Sequence, residues 1–218
     1  MRNYKYGICV FLSILFISTT FITGCTPSQQ STETGPMVFQ DDFTNPNSGW
    51  SIYKADETKG GEYQQGAYHV WSIGKNTVIA LNPKTRQQLG DFSAEVDLRT
   101  TSEIRGAVMG IIYRLDNDGK YYRFAITDNQ TYYVGKGYQG FEEELKPMEH
   151  SDTIKPAGEY NRLKIICKGE NQDLYINDIK VGNLTDNTSL TGELGISFSN
   201  WAPTENYTFT NFKLNKLK

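Results

Sequence analysis

The chain has 218 residues, 22 Lys and Arg against 25 Asp and Glu, and a formal net charge of −3. An acidic chain with no basic cluster lacks the footprint that nucleic-acid phosphates demand, so nucleic acid is excluded as a partner. The length beyond the N-terminal segment, ~180 residues, suits one domain with a sizeable core.

The chain opens with a basic head, Arg2 and Lys5, and an apolar stretch from Ile8 to Ile22. This is the layout of a signal peptide, and the stretch falls short of the ~20 apolar residues of a transmembrane helix. It ends in Phe21-Ile22-Thr23-Gly24-Cys25, which resembles the lipobox of bacterial lipoproteins. The resemblance implies that residues 1–24 are removed and that Cys25 carries the lipid. An ordinary secretory signal or an uncleaved anchor is the alternative. The protein is then expected outside the cytoplasm, attached to the bacterial membrane through its lipid. Without Arg2 and Lys5 the count is 20 against 25, a mature charge of −5. Residues 25–37 are polar and rich in Pro, Ser, Thr and Gly, which reads as a disordered spacer. Residues 38–218 form the expected domain.

Period-two alternation dominates that domain, and tyrosine and β-branched residues favour sheet. Strands are expected at Val38–Phe43, Gly66–Ser72, Val78–Leu81, Phe92–Arg99, Ala107–Leu115, Tyr121–Thr127, Thr131–Lys136, Asn161–Lys168, Leu174–Ile176, Ile179–Val181, Glu193–Ser199 and Tyr207–Leu214. Asp128-Asn129-Gln130, Gly169-Glu170-Asn171 and Asn177-Asp178 supply turns. About a dozen short strands between turn residues predict an all-β, antiparallel two-sheet jelly-roll sandwich. Cys167 alternates with Leu163 and Ile165, so it reads as a buried apolar residue and not as a nucleophile.

Two stretches carry a resemblance. Asn161-Arg162-Leu163-Lys164-Ile165 and Asp173-Leu174-Tyr175-Ile176-Asn177-Asp178-Ile179-Lys180-Val181 look like the meander signature of concanavalin A-like sandwich domains. Asp178 stands where that signature has glycine, which predicts a strained or altered turn. Asp91-Phe92 through Arg99, Gly110-Ile111-Ile112-Tyr113-Arg114 and Tyr121-Tyr122-Arg123-Phe124 are similar to the pattern of the 3-keto-disaccharide hydrolase and exo-inulinase-type sandwich group. The resemblance spans roughly residues 38–217. It implies a glycan as partner, and either binding or glycoside-acting chemistry. That family usually has Asn-Ser-Gly before the apolar-Arg segment, whereas this chain has Val108-Met109-Gly110.

Glu95 and Asp97 share a strand face, and glycoside hydrolysis commonly needs two carboxylates. Alternating Glu, Asp and Arg also describe a solvated strand face, the favoured reading here. Asp41, Asp42 and Asn211 offer the hard oxygen ligands of a structural calcium where terminal strands meet, against a simpler role in turns and edges. No other cofactor is expected, and two isolated histidines, His69 and His150, give no zinc spacing. Sequons at Asn129, Asn183, Asn187 and Asn206 are without weight in a bacterial lipoprotein. Sugar rings stack on aromatic faces. Trp71, Tyr122, Tyr133 and Trp201 are therefore the candidate ligand-binding aromatics, with Arg114 as a hydrogen-bond donor. The leading reading is a lectin-like carbohydrate-binding module without catalysis. The alternatives are a glycoside-acting enzyme of the 3-keto-disaccharide hydrolase type and a protein-interaction sandwich.

Overall fold

Alternating apolar residues need two packed sheets to hide one face of each strand, and that is what the chain builds. The computed structural model describes residues 34–56, 59–72, 76–100, 107–138, 141–200 and 204–218. The described residues hold fifteen strands. In chain order these are β1 (Thr34–Asp41), β2 (Tyr53–Asp56), β3 (Lys59–Gln64), β4 (Ala67–Ser72), β5 (Asn76–Leu81), β6 (Phe92–Thr100), β7 (Ala107–Leu115) and β8 (Tyr121–Thr127). They continue as β9 (Thr131–Tyr138), β10 (Phe141–His150), β11 (Asn161–Lys168), β12 (Asn171–Ile176), β13 (Ile179–Thr185), β14 (Glu193–Asn200) and β15 (Thr204–Leu217).

A nine-stranded sheet runs β13-β12-β11-β6-β15-β4-β3-β2, with β1 also paired to β15. A five-stranded sheet runs β10-β9-β8-β7-β14. β5 lies beside β14, where the Thr77 and Ser199 hydroxyls are 2.9 Å apart. All the strand pairs are antiparallel, so the expected jelly-roll sandwich is the observed fold. Phe92, Ala94, Val96 and Leu98 of β6 and Leu163, Ile165 and Cys167 of β11 face Ile111, Tyr113, Phe124, Val134 and Phe198 of the smaller sheet in one core. The Cys167 thiol sits there wholly buried, and burial pushes its pKa up to about 12, as suits an inert packing residue.

Three features differ from the sequence reading. The first strand starts at Thr34 and not at Val38. Thr34 pairs with Leu217 and Met37 with Asn215, so the end of the expected spacer is ordered by the last strand. The turn at Asn177 and Asp178 accepts left-handed backbone at both residues, φ 49° and 67°, the geometry of a tight type I′ hairpin. Asn177 anchors it by accepting from Arg162 N at 2.9 Å and donating to Thr153 O at 2.7 Å. Finally, β2, β3 and β10 were not expected. β10 reads Phe-Glu-Glu-Glu-Leu-Lys-Pro-Met-Glu-His, and charge with proline is how an edge strand resists further pairing.

Candidate functional site

The structure does not gather the sequence-selected residues into one platform. Arg114, expected as a ligand donor on an open face, is wholly buried and has a left-handed backbone, φ 52°. Its guanidinium donates to the carbonyls of Ser189 at 3.1 Å, Gly90 at 3.3 Å and Gly169 at 2.5 Å. It is a clamp on three loops, because a planar fork of donors suits converging carbonyls. Tyr122 points into the core side and stacks on Tyr113, with ring centroids 5.4 Å apart. Its hydroxyl donates to Asp186 and accepts from Ser189 N at 3.1 Å. Burial and the Asp186 carboxylate push its pKa up to about 12. Trp71 lies on the outer face of the nine-stranded sheet, its ring over Gly60. Tyr133 lies on the outer face of the five-stranded sheet beside Val108 and Ala125. Trp201 falls outside the described residues.

The calcium candidates also go to separate partners. Asp41 is buried and accepts from Phe43 N at 2.8 Å, Trp50 Nε1 at 2.8 Å and the Ser48 hydroxyl. Asp42 accepts from the backbone and hydroxyl of Thr44 at 2.9 and 2.7 Å, and this lowers its pKa. Asn211 turns away and donates to Asp97 Oδ2 at 2.8 Å. Among the described residues no three His, Cys, Asp or Glu side chains cluster as metal ligands. Glu95 and Asp97 lie on the outer face of β6, where the solvated face expected of them is not seen: Glu95 is half-buried and Asp97 buried under its partners. Lys213 holds Glu95 at 2.8 Å, and Arg162 holds Asp97 through two contacts of 2.8 and 3.2 Å.

What the fold does gather is a cleft of about 320 Å³ at the end of the five-stranded sheet. Tyr121 and Tyr122 of β8, Lys136 and Tyr138 of β9, Phe141 and Glu143 of β10, Lys120, and Thr188 and Ser189 of the loop before β14 line it. Phe141 is 82% exposed and Tyr138 42% exposed, so two rings stand open to solvent. Tyr121 lies flat against Gly137, where a Cβ would collide with the ring. Register puts that ring on the outer face of the sheet with Glu142, while Tyr122, Lys136 and Tyr138 turn to the other face. Lys120 Nζ stands 5.5 Å from the Tyr138 ring. Lys136 Nζ lies 3.6 Å from Glu143 and 3.9 Å from Asp186, which fixes a cation across the rim. The hydroxyl and amine groups beside exposed rings provide both polar and apolar contact. Of these residues, the sequence reading had selected Tyr122 alone. The alternation Gly135-Lys136-Gly137-Tyr138, with Phe141 just beyond, was the available signal, since two glycines in a strand leave room for rings.

Next to the cleft, the outer face of the five-stranded sheet carries a polar cluster. Arg123 donates to both oxygens of Glu142 and to Ser199 Oγ at 2.8 Å. Tyr133 lies 5.7 Å from the Arg123 guanidinium, and burial first, then the Glu142 charge, raises its phenol pKa. The Tyr121 hydroxyl donates to Glu142 at 3.3 Å and joins this cluster to the cleft. Gly110 forms the floor, since a Cβ there would strike the Phe124 carbonyl of the next strand. Val108, which stands in place of a polar residue of the related pattern, contributes an apolar wall.

The 3-keto-alpha-glucoside-1,2-lyase-like domain matches residues 39–215. The chain belongs to this family. Within it, the sandwich is similar to solved structures at low sequence identity. The carbohydrate-binding module CBM66 from Bacillus subtilis is 16% identical with a TM-score of 0.63, over 78% of this chain and 96% of that one. The β-glucanase of Bacillus licheniformis is 14% identical with a TM-score of 0.61, over 85% and 100%. The catalytic domain of an endo-1,3-β-glucanase (laminarinase) from Thermotoga petrophila is 9% identical with a TM-score of 0.56, over 85% and 99%. No curated protein matches the chain. The match assigns the family, and the shared architecture confirms the β-sandwich fold. At these identities the neighbours define its fold and no residue roles.

Proposed function

We propose that the protein is a membrane-anchored, extracytoplasmic module that binds a glycan and does not cleave it. The cleft carries the proposal: the exposed Tyr138 and Phe141 rings stand on one face, with amines and hydroxyls at the rim. Flat rings bordered by polar groups are what a sugar, with apolar ring faces and equatorial hydroxyls, requires. The carboxylates nearby argue for binding over hydrolysis, because each is engaged: Glu142 by Arg123 and Tyr121, Glu143 by Lys136, and Asp186 by Tyr122 and Lys136. Hydrolysis of a glycoside commonly uses one carboxyl group as acid and a second as base or nucleophile. The similar structures, a carbohydrate-binding module and glucanases, support a glycan ligand.

Affinity in the micromolar-to-millimolar range, about −4 to −8 kcal/mol, is expected. Calorimetric titration with cellohexaose, laminarihexaose and maltohexaose tests this. Phe141→Ala and Tyr138→Ala should each weaken binding about fivefold, since a lost ring contact is worth about 1 kcal/mol. Both side chains are surface-exposed, so melting temperatures should hold. Unchanged affinity in both variants would remove the cleft from the account.

The family match favours a second reading, action on 3-keto glucosides. Such an elimination needs a base to take the proton beside the ketone and an acid for the leaving oxygen. Tyr121 and Tyr133 are the proton donors at hand. Release of the leaving alcohol from a 3-keto glucoside by the purified protein would establish this reading instead.

The anchor rests on Cys25, outside the described residues. Lipid on Cys25 should place the protein in the membrane fraction, since two acyl chains give stable attachment. Metabolic labelling with a fatty acid should mark the wild type. Cys25→Ser should be unlabelled and remain an unprocessed precursor. A wild type without label contradicts the anchor.

A further inference from the structure

The strand ends place the cleft beside the point where the chain enters the domain. Tyr121 opens β8, Tyr138 closes β9 and Phe141 opens β10, so the cleft lies at one end of the sandwich. Thr34 opens β1 and pairs with Leu217. The Leu217 N–H donates to the Asp91 carbonyl at 3.0 Å, and Asp91 Oδ1 accepts from Gly169 N at 2.7 Å. The Arg114 clamp holds the carbonyls of Gly90 and Gly169 together with that of Ser189, which lines the cleft. A continuous run of strand pairing and hydrogen bonds therefore joins Thr34 to the cleft. The opposite end holds His150, Asn161 and the turn at Asn177 and Asp178. There Asn161 accepts from Lys155 N at 2.8 Å and Asn177 donates to Thr153 O at 2.7 Å. β10 runs between the two ends in 10 residues, Phe141–His150, about 30 Å.

Chain length then limits where the cleft works. Lipid on Cys25 fixes position 25 at the bilayer, and positions 25 to 34 span at most about 30 Å of extended chain, whatever path they take. The end with the cleft is the end that this length ties to the membrane. The far end is a further length of β10 from the point of attachment. A ligand fixed in the same membrane meets the cleft at an effective concentration on the order of millimolar, as short flexible links give. That concentration suits the micromolar-to-millimolar affinity expected of the cleft, which leaves a dilute free oligosaccharide largely unbound.

We propose that the cleft takes a membrane-borne glycan, a saccharide chain carried on a lipid of the bilayer that holds the protein. The proposal deepens the glycan-binding reading and rests on it and on the Cys25 anchor. The test uses the lipidated full chain reconstituted in phosphatidylglycerol vesicles. Asp118→Cys at the cleft end and Asp152→Cys at the far end each place a dye on an exposed thiol, while Cys167 is buried and stays unlabelled. A quencher on the lipid headgroups should dim the Asp118→Cys dye at least about twofold more than the Asp152→Cys dye. Cellohexaose, laminarihexaose and maltohexaose are then each coupled to phosphatidylethanolamine through a photoreactive linker. At least one should crosslink about tenfold more in shared vesicles than when protein and glycolipid sit in separate ones. Phe141→Ala should lower that yield about fivefold. Equal quenching at the two positions, or stronger quenching of the Asp152→Cys dye, overturns this inference and leaves the cleft reading intact. Crosslinking no greater in shared than in separate vesicles, by a protein that binds free hexaose in calorimetry, overturns it too. A protein that neither binds free hexaose nor crosslinks removes the cleft reading and this inference together. A protein that stays out of the vesicles removes the anchor, and this inference with it.

Discussion

Leu163→Asp is expected to leave no folded domain. Leu163 is wholly buried in β11, paired with Val96 of β6 on one side and Ile176 of β12 on the other. Its place is in the middle of the nine-stranded sheet, facing the smaller one. An ionised carboxylate there sits between the apolar Val96 and Ile176, and a protonated one still lacks a partner. Either form costs several kcal/mol, on top of the lost apolar burial of about 2 kcal/mol. A domain has on the order of 5–15 kcal/mol of stability in total. Circular dichroism should show loss of the cooperative thermal transition, and the protein should enter inclusion bodies. A soluble variant with a cooperative melt would mean that the inward face of β11 has been assigned wrongly.

Arg114→Met carries the second large effect. Methionine roughly conserves the aliphatic stem, so the change reports on the guanidinium. Three carbonyls, Ser189, Gly90 and Gly169, lose a charged donor. Hydrogen bonds to a charged group contribute about 1.5–3 kcal/mol each, which puts the loss at about 4 kcal/mol or more. For a domain of this size that is a fall in melting temperature on the order of 10 °C. The effect should reach the cleft, since Ser189 lines it and its backbone N–H also meets the Tyr122 hydroxyl. Arg114→Lys should recover little, because one ammonium cannot reach three carbonyls in a fork. A variant that melts like the wild type and loses saccharide affinity would return Arg114 to the role of ligand donor that the sequence suggested.

That exchange of roles shows what the chain's pattern discloses and what it hides. Alternation placed β6 and β11 and their inward residues, because burial on one face imposes period two. Cys167 and Leu163 were assigned to the core on that ground, and both are there. Arg114 misled because arginine in a strand implies solvent, and its clamp is made with residues 24 to 75 positions away. Such convergence is a property of topology and not of local sequence. Tyr138 and Phe141 were passed over for a related reason. β10 is rich in glutamate and carries Pro147, so it reads as a loop, yet Tyr138–Phe141 pairing with β9 makes it an edge strand and sets both rings at one rim. Tyr122, selected as a stacking ring, keeps its place at the cleft but turns its face to Tyr113. Asp41 and Asp42 were selected as cation ligands because hard oxygens gather where the terminal strands meet. Their oxygens accept from backbone and side-chain donors in the turn that follows β1.

The central claim is binding without turnover at the aromatic cleft. It is tested most directly by equilibrium dialysis of the protein against cellohexaose, laminarihexaose, maltohexaose and a 3-keto glucoside, with the saccharide on both sides analysed afterwards by chromatography. The account predicts that at least one saccharide accumulates on the protein side, that Phe141→Ala reduces the accumulation, and that every saccharide is recovered at its original length. Shortened chains or a released leaving alcohol, absent from the protein-free control, would contradict it.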